Sequence, residues 1–176
     1  MGTDIHFMRT AISLAESNLK SLDGGPFGCV VVKDGKVLSA ESNTVIRDCD
    51  PTAHAEMNAI RRAAKRIKSR DLSGCILYTS SEPCPMCLSA IYWSNIRKVY
   101  YGSTKRDAEW AGFADQFILS ELKKDLDEQE VTFVQSGAAD AMEVFNKWVN
   151  SESASKNESH PAGESRVCSE HNIGKS

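Results

Sequence analysis

The feature that most constrains the fold is an alternation of short apolar runs with segments of helical periodicity. In an opening segment, residues 4–19, apolar side chains recur at three- and four-residue steps, which is typical of an amphipathic helix. Two apolar runs follow, and Asp34 and Gly35 lie between them. An Asp-Gly pair in this position favours a type I′ hairpin turn, because both central residues need a positive φ. The sequence therefore predicts a helix followed by two antiparallel strands.

Beyond this hairpin, strands and helices are predicted in turn. Helical periodicity covers residues 52–67, 83–93, 117–126 and 138–149, and short strand patterns cover residues 75–78, 99–101 and 131–134. The resulting order, αββαβαβαβα, is typical of α/β proteins. We therefore expect a three-layer αβα sandwich around a five-stranded mixed sheet. An antiparallel hairpin is expected at one edge of the sheet, and the remaining strands are expected to be parallel.

Length and composition fit one folded domain followed by a polar end. The chain has 176 residues, of which 41% are hydrophobic and 26% charged, close to the average of globular proteins. Residues 151–176 are rich in Ser, Glu and Asn, so burial of their few apolar side chains cannot offset the entropy of ordering them. The sequence predicts a domain over residues 1–150 and a disordered polar tail over residues 151–176.

Charge and hydropathy narrow the classes of function. A formal net charge of -3 disfavours a protein that binds by neutralising nucleic-acid phosphates. No apolar run approaches the roughly 20 residues that cross a bilayer, and the N-terminus lacks the pattern of a signal peptide. The six cysteines are expected to stay reduced, because a chain of this length can build a core without disulfides. We expect a cytoplasmic protein that binds a small molecule rather than nucleic acid or a membrane.

The residues that indicate chemistry lie at the starts of two predicted helices. His54 and Glu56 belong to the first helix, and Cys84 and Cys87 belong to the second. Cysteines three apart share one face of a helical turn and can bind a single metal ion. With His54 they form the ligand pattern of a catalytic zinc site, which leaves a fourth position for water. Glu56 is superfluous as a ligand, so it is expected to carry protons.

Each of these motifs, taken alone, is compatible with several kinds of site. A Cys-x-x-Cys pair can be a redox pair, half of a structural zinc site or a chance occurrence. The combination of His-x-Glu with Pro-Cys-x-x-Cys, in this order, matches the signature of zinc deaminases. We interpret Cys29, Cys49 and Cys75 as small core residues, because they lie in or beside apolar runs.

Several stretches resemble the cytidine deaminase superfamily and, within it, the guanine and guanosine deaminases of bacteria and plants. They are Gly-Gly-Pro-Phe-Gly at 24–28, Asp-Pro-Thr-Ala-His-Ala-Glu at 50–56, and residues 76–80, 82–87, 90–93 and 111–113. The resemblance extends from about residue 5 to residue 150. It implies a cytidine-deaminase-like fold and hydrolytic release of ammonia from an aminated nucleobase. The implied reaction is guanine to xanthine, or guanosine to xanthosine.

The resemblance also implies roles for individual residues. One zinc ion per chain is expected on His54, Cys84 and Cys87, with Glu56 as the catalytic proton carrier. The expected substrate contacts are Asn43, Phe27, the backbone of Ala55, Trp93, Phe113 and Asp115. From the residues alone, Phe27 can equally be a core aromatic, Trp93 a dimer contact and Asn43 a turn residue. The expected partner is a second copy of the chain, in a homodimer.

The sequence departs from the guanine deaminases at two places. Those enzymes have two acidic residues after the Gly-Phe pair, whereas Gly112 and Phe113 are followed here by Ala114 and Asp115. They also end in an aromatic residue on an exchanged C-terminal segment, whereas this chain continues past Trp148 into the polar tail. Both departures weaken the case for guanine itself, because a substrate donor without its acceptor is selected less strongly.

Three alternative functions remain at this point. A tRNA adenosine deaminase needs a basic surface, and the one candidate is the basic run at residues 61–70, whose helical spacing favours a solvated face. A deaminase of cytosine, or of another small aminated heterocycle, fits the same motifs. A catalytically silent zinc-binding module is the non-enzymatic alternative, and a fourth protein ligand is the feature that distinguishes it.

Overall fold

The computed structural model describes residues 2–151. The chain divides into two compact units, Met1–Phe133 and Val134–Ser176. The disordered tail predicted over residues 151–176 lies outside the described residues, apart from Ser151.

The secondary-structure elements of the first unit alternate as the sequence pattern indicates. They are α1 (Gly2–Ser21), β1 (Gly28–Lys33), β2 (Lys36–Ser42), α2 (Ala55–Ile67), β3 (Ile76–Ser81), α3 (Pro85–Trp93), β4 (Lys98–Ser103), α4 (Lys105–Trp110) and α5 (Gln116–Glu121). The described part of the second unit contains α6 (Ala138–Val149). Among residues 2–151, no helix has both the length and the apolar character that a membrane span requires.

The strands of the first unit form one mixed sheet in the order β2-β1-β3-β4. The predicted hairpin is present, since β1 pairs antiparallel with β2 around Asp34 and Gly35, whose φ angles are 50° and 72°. β1 is also antiparallel to β3, and β3 is parallel to β4. The mixed α/β sheet is therefore confirmed. The expectation that the strands beyond the hairpin are all parallel to their neighbours is wrong for β1 and β3.

The fifth strand predicted at residues 131–134 is absent from the described structure, and the sheet has four strands. Val131, Phe133 and Val134 are 64%, 54% and 82% exposed. β-branched and aromatic residues favour a strand only where they pack against neighbours on a half-buried surface, and these side chains are not buried. The predicted helix at residues 117–126 is shortened to α5, and α4 was not predicted.

Alternation along β1 places helices on both faces of the sheet. Val30 and Val32 belong to a buried cluster with Phe7 of α1, whereas Cys29 and Val31 belong to a second cluster with residues of α2 and α3. Since successive side chains of a strand point to opposite faces, these clusters are the two interfaces of a three-layer αβα sandwich.

The interpretation of the remaining cysteines as core residues is confirmed for two of them. Cys29 and Cys75 are buried, but Cys49 is exposed in the loop after β2, so its interpretation as a core residue is wrong. All the cysteines that the structure describes are free thiols.

Tyr78 joins α1 to the centre of the sheet. Its side chain is 1% exposed, and its hydroxyl donates a hydrogen bond to the carboxylate of Asp4. We expect Tyr78→Phe to lower the free energy of unfolding by about 1.5–3 kcal/mol, because a hydrogen bond to a charged group is lost. Urea denaturation measures this change, and Tyr101→Phe on half-exposed Tyr101 is the control. Equal urea midpoints for Tyr78→Phe and the wild type would contradict this role.

Candidate metal centre and active site

Two helix starts meet near the carboxyl end of β3. His54 is the N-cap of α2 and Cys84 is the N-cap of α3, both in extended backbone conformation. The prediction that each motif opens a helix is thus correct. Thr52, where the helical periodicity of residues 52–67 begins, lies instead in the preceding turn, and its N–H and hydroxyl each donate to Asp50 Oδ1 at 2.7 Å.

The side chains of His54, Cys84 and Cys87 converge on one point. Their ligand atoms all lie within 4.8 Å of one another, and His54 Nδ1 is 3.5 Å from Cys84 Sγ and 3.6 Å from Cys87 Sγ. A tetrahedral zinc ion, with Zn–S of about 2.3 Å and Zn–N of about 2.05 Å, places sulfur and nitrogen about 3.6 Å apart. Both the donor types and their spacing therefore fit zinc. Within the part of the chain that the structure describes, this ligand group has three members.

The surroundings of the two cysteines favour a thiolate. Hydrogen bonds from Cys87, and then from His54, lower the pKa of Cys84 far below its usual value. The backbone N–H of Cys87 also donates to Cys84 Sγ at 3.5 Å. The positive ends of α2 and α3 add to this stabilisation of negative charge. The same pairing raises the pKa of Cys87, and a bound cation would favour the deprotonated form of both thiols.

Glu56 lies beside the ligand group without belonging to it. The side chain is 6% exposed, and the hydroxyl of Thr79 on β3 donates to Glu56 Oε1 at 3.0 Å. Cys87 Sγ lies 3.6 Å from Glu56 Oε2. Burial raises the pKa of Glu56, because removal from water disfavours the charged form. A buried, fixed carboxyl group at this position can accept a proton and return it.

A cavity of about 350 Å³ opens beside these groups. The predicted site residues that line it are Phe27, Asn43, His54, Glu56, Cys84, Phe113 and Asp115. Phe27 and Phe113 form an edge-to-face pair with ring centroids 4.9 Å apart. Aromatic walls with a few polar groups are typical of sites that bind a flat, small ligand.

The Gly-Gly pair of the first loop is required by close packing against Asn43 and the aromatic wall. A Cβ atom on Gly24 would lie 2.1 Å from Asn43 Oδ1, and one on Gly25 would lie 2.9 Å from the Phe27 ring. Asn43 is 4% exposed, and its Oδ1 accepts the N–H of Val45 at 3.2 Å. The amide NH₂ of Asn43 is therefore the end of the side chain that can donate to a ligand.

One wall of the cavity carries a group of charges. Ala114 and Asp115 both line it, and so do Glu82 and Lys105. Lys105 Nζ lies 3.8 Å from Glu82 Oε1, and the Lys105 side chain is 14% exposed. Burial raises the pKa of Asp115, and the charge of Lys105 opposes this shift. The cavity therefore retains an acidic side chain at Asp115, although Ala114 is apolar.

Two predicted substrate residues do not line the cavity. Trp93 is the last residue of α3 and is 63% exposed, whereas the ligands lie at the other end of that helix. The rise of an α-helix, about 1.5 Å per residue, carries Trp93 away from the metal centre, so its expected role as a pocket wall has no support in this chain. Ala55 is fully buried at the first position of α2, where a backbone N–H has no acceptor within the helix.

Sequence patterns missed several residues that shape the site. Asn18, 2% exposed on α1, donates to the carbonyl oxygens of Gly25 and Asn43 and so connects two walls of the cavity. Thr79 fixes Glu56, and Lys105 brings a cation to the cavity. An asparagine at a buried position of the α1 pattern was a usable signal for Asn18. Lys105 had no local signal, because a lysine at the start of a helix is ordinarily solvated.

A mixed α/β sheet that brings a His/Cys/Cys group and a buried glutamate to one cavity defines a class, the zinc-dependent deaminases. The family model of the cytidine and deoxycytidylate deaminase zinc-binding region matches residues 1–103, and the chain belongs to this family.

Known relatives agree with this membership. The guanine deaminase of Bacillus subtilis (strain 168) is 44% identical over 144 residues, which cover 82% of this chain and 92% of the relative. The X-ray structure of guanine deaminase from Bacillus subtilis superposes with a TM-score of 0.81 over 83% of this chain and 93% of that one, at 44% identity. For the guanine deaminase from Nitrosomonas europaea the TM-score is 0.59 at 33% identity, over 62% of this chain and 63% of the other. The tRNA-specific adenosine deaminase of Aquifex aeolicus is 39% identical over 100 residues, 56% of this chain and 64% of the relative.

These comparisons confirm the family that the motifs indicated. The chain is a zinc-dependent deaminase, a hydrolase that acts on carbon–nitrogen bonds.

Proposed function

We propose that the chain deaminates guanine, as the free base or as guanosine, to give xanthine or xanthosine and ammonia. The observation that carries the proposal is one cavity in which Glu56 lies beside a zinc-type ligand group while Asp115 lies on the wall. The 44% identity with a guanine deaminase over 92% of that enzyme supports the same substrate.

One zinc ion per chain, held by His54, Cys84 and Cys87, is part of the proposal. When bound, zinc supplies the Lewis acidity that activates a water molecule as the nucleophile. His54 and Cys84 line the cavity, so a zinc ion held by this group would be accessible to a base bound there. A silent zinc module is disfavoured, because within residues 2–151 the group contains three ligands and Glu56 is in place.

Glu56 is proposed to move the protons of the reaction. The Thr79 hydroxyl holds Oε1, so the carboxyl group keeps a fixed orientation toward the cavity that it lines. From this position Glu56 accepts a proton from the attacking water and delivers it to a ring nitrogen and then to the leaving amine.

The other proposed roles concern recognition of the base. Phe27 and Phe113 contact its ring faces and edges, and the Asn43 amide NH₂ and the Ala55 N–H donate to its acceptors. Asp115 accepts from the ring N–H of guanine. Because Asp115 lines the cavity, an acceptor for this donor is available although Ala114 is apolar, which supports guanine as the substrate.

The tRNA adenosine deaminase alternative depends on the basic run of α2. Arg62 pairs with Glu41, Arg66 donates to the Leu38 carbonyl oxygen and Arg61 donates to Thr52. Since these cations have partners within the chain and the net charge is -3, a solvated face is favoured over an RNA site.

A substrate panel tests the proposed function. We expect ammonia release from guanine or guanosine with kcat/KM at least about 10²-fold above that for adenine, cytosine or other heterocycles that lack a ring N–H next to the leaving amino group. Guanine has this N–H, which Asp115 can accept, whereas adenine and cytosine have an unprotonated nitrogen there. A coupled ammonia assay on the zinc-loaded protein measures each rate. Faster ammonia release from cytosine than from guanine would show that the chain is a cytosine deaminase. Salt-sensitive deamination of adenosine in tRNA, with no ammonia release from guanine, would show that it is a tRNA adenosine deaminase.

The assembly and location of the chain extend the proposal. We infer that the chain forms a homodimer in the cytoplasm, with exchange of C-terminal segments between the two subunits. Tyr92 and Trp93, 58% and 63% exposed at the end of α3, support a contact surface at that end. The free thiols of the described cysteines suit a reducing compartment.

A further inference from the structure

We propose that Lys105 selects guanine against purines that carry an amino group in place of the guanine carbonyl, by donating a hydrogen bond to that carbonyl oxygen. This inference rests on the proposed guanine deaminase function. It assigns to Lys105 a substrate contact that decides which purine the cavity accepts.

Lys105 is held inside the site rather than in solvent. Its side chain lines the cavity and is 14% exposed, an unusual environment for a lysine. Among the described residues that line the cavity, it is the one lysine or arginine. Its ammonium group is 3.8 Å from Glu82 Oε1, which is beyond hydrogen-bond distance, so its N–H donors remain able to reach a ligand.

The start of α4 does not depend on this side chain. Thr104 and Asp107 form a capping box that begins the helix, and the backbone N–H of Lys105 donates to Glu82 Oε2 at 3.2 Å. Both interactions use groups that a substitution of the Lys105 side chain leaves in place. The position of the ammonium group in the cavity is therefore separable from the local fold.

The polar side chains that line the cavity can be matched to the polar groups along one edge of guanine. That edge carries the C2 amino group, then the ring N1–H and then the C6 carbonyl. The amino group that leaves must lie next to Glu56 and the ligand group. Asp115 and Lys105 line the same cavity as Glu56 and Cys84, and the charge of Lys105 lowers the pKa of Asp115, which burial raises. With N1–H on Asp115, the carbonyl oxygen comes to the side of Lys105.

The sign of the charge gives the selectivity. An ammonium group attracts a carbonyl oxygen and repels an amino group, which offers only N–H donors at the same position. A donor placed opposite a cation leaves both groups without an acceptor. Guanine is therefore favoured over 2,6-diaminopurine, which has an amino group in place of the carbonyl and an unprotonated N1 in place of the N1–H. Because the missing N1–H already weakens 2,6-diaminopurine in the wild type, the contribution of Lys105 is the change that a Lys105 substitution causes in the ratio of the two purines' kcat/KM values.

The test compares these two purines in the zinc-loaded wild type, in Lys105→Met and in Lys105→Arg. We expect Lys105→Met to lower kcat/KM for guanine about 10- to 100-fold, as loss of one charge-assisted hydrogen bond predicts. For 2,6-diaminopurine the same substitution changes kcat/KM less than about 3-fold or increases it. Lys105→Arg keeps the charge and most of the preference. If 2,6-diaminopurine is not turned over, its inhibition constant against guanine replaces kcat/KM.

Arg106→Met, on the neighbouring exposed residue, is the matched control, and it is expected to leave kcat/KM for both purines unchanged. Zinc content and melting temperature are measured for every variant. If Lys105→Met lowers kcat/KM equally for both purines, with or without loss of zinc, the inference is overturned, because Lys105 then supports the site as a whole. An unchanged ratio of the two kcat/KM values also overturns the inference. A wild type that releases no ammonia from guanine refutes the proposed function instead, so the two failures are distinguishable.

Discussion

Glu56→Ala is expected to lower kcat for guanine by about 10²- to 10⁴-fold while the protein keeps its zinc. The large effect follows from the position of Glu56, which is buried beside the ligand group and fixed by the Thr79 hydroxyl. Without its carboxyl group, no side chain in that place transfers the proton from water to the base. Zinc is retained because the ligand group consists of His54, Cys84 and Cys87.

Glu56→Gln is the matched control for this prediction. The amide keeps the size of the side chain and can still accept the Thr79 hydrogen bond, but it cannot transfer a proton. Both variants should therefore lose activity to a similar extent, with zinc content measured by mass spectrometry and rates by ammonia release. If Glu56→Ala loses zinc together with activity, Glu56 is a ligand or a structural residue. If Glu56→Gln keeps wild-type kcat, the carboxyl group has no role in proton transfer.

Cys84→Ala and Cys87→Ala are each expected to abolish zinc binding and activity and to lower the melting temperature. Each substitution leaves two ligands, which is too few for the tetrahedral site that the distances fit. The free energy of metal binding is shared with folding, so we expect a loss of about 5 °C or more in melting temperature. The N-cap interaction between Cys84 Sγ and the Cys87 N–H is also lost in Cys84→Ala.

Cys49→Ser separates this effect from a general effect of removing a thiol. Cys49 is exposed and lies outside the ligand group, so zinc content, rate and melting temperature should remain at wild-type values. Full zinc stoichiometry in both Cys84→Ala and Cys87→Ala would show that the metal is held elsewhere.

Much of the site was predictable because its determinants are local in sequence. The three-residue spacing of Cys84 and Cys87 places them on one helical turn, and both motifs do open helices, at His54 and at Cys84. Asp34 and Gly35 predicted the hairpin, since positive φ at adjacent residues is a local requirement. In each case the residue type and its immediate neighbours in the sequence suffice to predict the local backbone conformation.

Other features depend on contacts between distant parts of the chain. Residues 131–134 have the composition of a strand, but a strand requires a partner and burial, and neither is encoded in the segment itself. The burial of Asn18 against the carbonyl groups of Gly25 and Asn43 depends on how α1 packs on the sheet.

The sequence by itself therefore determined which residues form the His54, Cys84 and Cys87 group, the glutamate beside this group, and the alternation of strands and helices. The tertiary structure decided the position of β1 between β2 and β3, the presence of Lys105 in the cavity and the exposure of Trp93 outside the cavity lining. Periodicity states which face of an element is buried but not which element covers it, because that choice depends on the total packing free energy of the assembled chain.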